Sequence, residues 1–71
     1  MRITYFPDTD TELIELSDAE VFETNEINEN VYIDLDSEGH PVNITIEHAQ
    51  TMTDISEMVF RRATAAGPAH I

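Results

Sequence analysis

Two groups of closely spaced carboxylates are the parts of this sequence nearest to chemistry. Asp34-x-Asp36-x-Glu38-Gly39 has the alternating acids and the glycine with which calcium loops open, where carboxylates converge on a hard cation and glycine permits the sharp turn. Counted from Asp34, the twelfth position is Thr45 rather than a bidentate glutamate, and both flanks alternate as strands do. The segment therefore reads as an acidic hairpin turn. Asp8-x-Asp10-x-Glu12 could hold a divalent cation or position two acids for proton transfer, yet it follows Pro7 in a turn-like run where carboxylates stay solvated. His40, His48 and His70 stand eight and twenty-two residues apart, without the i, i+4 spacing of a helical metal site. The chain has no cysteine, no Gly-x-Ser-x-Gly elbow and two glycines in all, so neither a nucleophile nor a phosphate loop is supported. The expectation is a non-enzymatic protein without catalytic residues, metal or cofactor.

Charge narrows the partners. Fifteen acids against three arginines give a formal charge of −12 over 71 residues. Nucleic-acid binding needs a basic stripe to displace counterions from phosphates, and this chain has none, so direct contact with nucleic acid is excluded. No stretch approaches the roughly 20 apolar residues of a membrane helix. The N-terminus lacks the basic and apolar regions of a signal peptide, and a cytoplasmic location is expected. The charge is also divided: residues 1–50 carry thirteen acids and Arg2, whereas 51–71 carry Asp54, Glu57, Arg61 and Arg62 and sum to zero.

The elements that must position these residues are short. Arg2 to Phe6 reads as a strand ended by Pro7, and Glu12 to Leu16 can return as its hairpin partner. Val31 to Asp36 and Pro41 to Glu47 alternate cleanly, placing Val31, Ile33, Leu35, Val42, Ile44 and Ile46 on one face. The link Ser37-Glu38-Gly39-His40 makes these two a hairpin. Between residues 17 and 30 the pattern is mixed: Ser17 and Glu20 fit a helical capping box, but composition favours a strand around Glu20 to Ile27 at a sheet edge. The last third reads as a helix over 51–67, with Thr53 as its cap, acids first, Arg61 and Arg62 later, and Gly67-Pro68 as its end; 68–71 form a frayed tail. Ile55, Met58, Val59, Ala63 and Ala66 would share one stripe with Arg62 in its middle, and Phe60 widens the arc to about half the circumference. The predicted architecture is one α+β domain over 1–71: an antiparallel meander of four to five strands in the acidic part, with one C-terminal helix packed on a face.

The ordered run of Asp8, Asp10, Ile14, Leu16, Ser17, Asp18, Val21, Glu23, Thr24, Glu26, Ile27, Val31, Ile33, Asp34, Asp36, Gly39, Val42, Ile44 and Ile46 resembles the prokaryotic domain-of-unknown-function family 2283, the YuzE-like small proteins, over about residues 3–49. The resemblance implies a strand for residues 20–27. It implies no activity, and points only to an antitoxin or accessory role. Asn30 and Asn43 stand where the family usually has glycine; tolerance of left-handed backbone would let Asn30 keep its turn.

These readings predict a protein-interaction module with two surfaces. The helix face of Ile55, Met58, Val59, Phe60, Arg62 and Ala63 would form a homodimer or meet a partner helix. Asp34, Asp36, Glu23, Glu26 and Glu29 would face a basic protein, such as a small basic toxin. Three competing readings are DNA mimicry against a nucleic-acid-handling enzyme, a salt-adapted chain whose acidity implies no partner, and a weak metal-dependent enzyme using Asp8, Asp10, Asp34 and Asp36.

Overall fold

The computed structural model describes residues 1–64. Five strands, β1 (Arg2–Phe6), β2 (Thr11–Glu15), β3 (Glu23–Asn28), β4 (Val31–Leu35) and β5 (Pro41–Glu47), form one antiparallel sheet, followed by the single-turn helix α1 (Ala49–Met52). The fold is therefore a small α+β arrangement, as the alternation predicts.

Strand order is β1-β2-β5-β4-β3. Three connections are sequential hairpins, but the chain departs from meander order once. β5 lies between β2 and β4, and residues 17–22 cross the end of the sheet to start β3 on the far edge. Val42 is the pivot of that crossing. Its carbonyl accepts the amides of Leu16 (2.7 Å) and Ser17 (3.3 Å), the β4–β5 register slips there, and Phe22 rejoins the ladder by donating to the Leu35 carbonyl at 2.7 Å. A bulge adds twist and frees one residue from pairing, which lets a single carbonyl serve the incoming link. β3 is an edge strand, as expected, though it starts three residues later than the predicted Glu20 and carries its own slip between Glu26 and Asn28.

The β4–β5 turn is built on Asp36. Its carboxylate accepts the amides of Glu38 (2.9 Å) and His40 (2.8 Å), while Gly39 takes the left-handed conformation, φ 85°, that side chains disfavour. Among the described residues the other left-handed positions are Asp10 (φ 55°) and His48 (φ 56°), not Asn30. Asn30 holds its turn differently: its amide donates to Asn28 and its carbonyl accepts from Glu47.

The predicted helix over 51–67 is corrected. Helix α1 ends at Met52, and residues 53–64 carry neither helix nor strand; Ala65 to Ile71, with Ala66, Gly67 and the expected tail, lie outside the described residues. Thr53 closes α1 instead of opening a new helix. Its amide donates to Ala49 at 2.8 Å, its backbone is extended, and its hydroxyl lies 2.9 Å from the Ala49 carbonyl and 3.2 Å from Glu12 Oε1. Asp54 then forms a local turn by accepting both the amide and the hydroxyl of Ser56. Between the expected cap Thr53 and Gly67 such a helix would have about thirteen residues, a length that is marginal in water unless a packed face supports it.

Val42 and Ala49 are the buried apolar residues of the described chain. Every position of β2 and of β4 is half-buried, with no alternation between covered and open sides. A sheet with one covered face would alternate. This sheet is a single layer with α1 at one end.

Candidate functional site

Register assigns the side chains to faces, because residues opposite each other in an antiparallel pair point the same way. One row runs Ile3, Ile14, Ile44, Ile33, Asn25 across all five strands. The adjacent residues on each strand form a row on the opposite face: Arg2, Glu15, Asn43, Asp34, Thr24. The first face is apolar and the second polar.

The polar row is internally bonded. Thr24 donates its hydroxyl to Asp34 Oδ1 at 2.7 Å, Asn43 donates its side-chain amide to Asp34 Oδ2 at 3.0 Å, and Arg2 lies 3.9 Å from Glu15. Asn43 thus supplies a donor for a carboxylate on the neighbouring strand. Asp36 is likewise occupied by its turn, and these amides, that of His40 foremost, hold its carboxyl below the usual aspartate range despite slight desolvation. His40 Nδ1 stands 3.6 Å from Asp36 and 3.8 Å from Glu38.

Of the five predicted partner-facing acids, Asp34 and Asp36 are therefore committed within the sheet. Glu23 and Glu26 lie on β3, exposed at all six of its positions, and Glu29 follows in the exposed turn. Glu20, Glu23, Glu26 and Glu29 recur every third residue along this edge. Glu23 and Glu26 are the two on the strand, opposite Leu35 and Tyr32 and so on different faces, which makes the edge acidic on both sides. Tyr32, opposite Glu26, registers the field: its hydroxyl is pushed up first by the charge of Glu47, then by partial desolvation, Glu26 and Glu29. Glu47 joins the polar face without having been singled out from the sequence, although the alternation of Pro41 to Glu47 already placed it there.

The second acidic cluster is structural. Tyr5 donates to Asp10 Oδ1 at 2.8 Å, Gln50 donates its backbone amide to the same oxygen at 3.1 Å and its side-chain amide to the Tyr5 hydroxyl at 3.2 Å, and the Asp10 carbonyl accepts from Ala49 at 2.9 Å. The bond to Asp10, with some desolvation, raises the Tyr5 hydroxyl above its ordinary value. Asp10 and Glu12 anchor α1 and the chain beyond it. Nothing in the Asp8-x-Asp10-x-Glu12 spacing announced a tie to a segment some forty residues away. Among the described residues no three His, Asp or Glu side chains are grouped to hold a metal ion. His48 contacts Asn30 Oδ1 at 2.8 Å, and His70 lies outside the described residues.

The predicted helix face is not assembled. Ile55 is half-buried, whereas Met58, Val59 and Phe60 are 65%, 72% and 77% exposed and Arg62 and Ala63 are exposed as well.

A one-layer antiparallel sheet with an apolar face, a bonded polar face and an acidic edge defines the class: a small α+β sheet protein. The family model described as "Protein of unknown function (DUF2283)" matches residues 2–50, the whole sheet, and the chain belongs to that family. No curated protein and no solved structure matches it.

Proposed function

We propose that this protein is a non-enzymatic interaction module that binds a basic protein along the β3 edge, in an antitoxin-like or accessory role. The observation that carries this reading is the edge itself: β3 is exposed throughout, with Glu20, Glu23, Glu26 and Glu29 at three-residue intervals. Arg2, the one cation of the first fifty residues, is on the opposite edge strand beside Glu15. Such an edge speeds encounter with a basic surface, repels acidic competitors, and lets charged side chains discourage strand-to-strand aggregation. Glu23, Glu26 and Glu29 recognise the partner; Asp34 and Asp36 keep the strands and turn that present them.

The test is affinity capture with the full chain and with a Glu23→Lys/Glu26→Lys/Glu29→Lys chain as paired baits, read by quantitative mass spectrometry at two salt concentrations. A basic protein retained by the first, lost by the second and weakened by salt is the expected result. Equal recovery by both baits contradicts the reading.

A further inference from the structure

We infer that the basic partner is bound by strand addition, an extended segment of it pairing with the free backbone of β3. Strand addition rests on the proposed role of the β3 edge and specifies how that edge makes contact. β3 is the outermost strand on its side, and Leu35 of β4 turns its carbonyl toward it, where the Phe22 amide takes it at 2.7 Å. In an antiparallel ladder every second residue bonds to the same neighbour, so Ile33 faces β3 as well. The residues opposite these two, Glu23 and Asn25, therefore direct their amides and carbonyls inward. Thr24 and Glu26 hold theirs outward, where no strand of the described residues meets them. Free donors and acceptors in this alternation are the template on which an extended peptide adds to a sheet.

Charge and flanking side chains select the occupant. The other edge strand, β1, carries Arg2 and no acid, whereas Glu23 and Glu26 stand on the two faces of β3. A strand with cations opposite both carboxylates is attracted, and the β3 strand of a second copy is repelled. Beyond Glu26 the register slips, so residues 23–26 alone can continue a regular ladder. So short a ladder holds little by itself, and binding depends on what flanks it. Before β3 lies a cleft of about 430 Å³ lined by Phe22, 68% exposed, together with Glu20 and Glu38. An arginine can lay its stem and guanidinium on such a ring with its charge beside the carboxylates. At the other end Ile27, 62% exposed, offers an aliphatic contact. Laid antiparallel, the fitting segment begins with an aliphatic residue opposite Ile27, has cations opposite Glu26 and Glu23, and ends with an arginine in the cleft.

The probe is the end-blocked peptide Val-Arg-Thr-Thr-Arg-Arg, titrated into the ¹⁵N-labelled full chain. Binding should slow exchange of the Thr24 and Glu26 amides and shift resonances of β3 and the Phe22 cleft, with those of β1 unmoved. N-methylation of the peptide amides opposite Glu26 and Thr24 removes the paired donors and weakens binding about tenfold, whereas N-methylation of the amides opposite Asn25 and Glu23 leaves it within about twofold. Glu23→Gln/Glu26→Gln weakens it as much as the first methylation, with the circular dichroism unchanged. Equal effects of the two methylations, with binding still lost in the Gln chain, overturn strand addition and leave the acidic edge as the partner's site. Shifts that map to β1 or to the Asp34 face, or no saturable binding, also overturn it, while the capture experiment still judges the basic-partner reading by itself. Thr24 and Glu26 amides already protected in the free chain, more so as its concentration rises, would give the edge to a second copy and contradict the inference.

Discussion

Asp36 and Asp10 carry more of the structure than their neighbours because each has one carboxylate that accepts two hydrogen bonds, from two backbone amides at Asp36 and from the Tyr5 hydroxyl and the Gln50 amide at Asp10. Asp36 accepts from Glu38 and His40 across the β4–β5 turn, and its carboxyl lies below the usual range. A depressed native pKa means that the contribution is present above the unfolded value and lost as pH falls through the native one. Wild-type stability should therefore decline from about pH 4 downward, while Asp36→Asn flattens that part of the profile. Thermal unfolding against pH, with carboxyl ¹³C shifts to locate the titration, measures both; an Asp36 titration at or above the ordinary value contradicts the assignment. Asp10 combines left-handed backbone with bonds to Tyr5 and Gln50. Asp10→Ala should cost about 1–2 kcal/mol and release α1, seen as faster exchange of the Ala49 and Gln50 amides. Asp10→Asn keeps both features and should lose less. His48 and Asp10 show what sequence could not reveal at this scale, since neither left-handed position is a glycine and each is fixed by a contact distant in the chain.

Among the elements, the hairpins of residues 2–16 and 31–47 were legible because alternation and turn residues are local. The pairing of β2 with β5 was not, since Ile14 and Ile44 meet only after twenty-nine intervening residues have looped around them. The C-terminal helix was misread for a related reason. Caps and an apolar stripe describe a helix worth forming when a face receives it, whereas here Thr53 is taken up by Ala49 and Glu12. The acidic surface was legible in composition, but the division between Glu23, Glu26 and Glu29, which are free, and Asp34, which Thr24 and Asn43 hold, required the register. Hydrogen exchange should follow the same order: β5 amides slowest, β1 and β3 faster, and residues 57–64 fastest. Protection across 57–64 equal to that of β5 would show that this segment packs as a helix after all.

For the whole molecule, two surfaces of opposite character sit on one layer, and the net charge of −12 is concentrated in that layer. Self-repulsion of this size is relieved by screening, so the melting temperature should rise as KCl is raised from 0.01 to about 0.5 M, over which the Debye length falls below 5 Å. An unchanged melting temperature would mean that the acids are too well separated to destabilise the fold. On the proposed reading the acidic edge would meet a basic partner, and the apolar face is the surface on which association would complete the core. Thermal unfolding of the full chain over a hundredfold range of protein concentration tests that division most directly. A fold completed by association predicts a melting temperature that climbs by roughly 5–10 °C across the range. The same melting temperature at every concentration would contradict it.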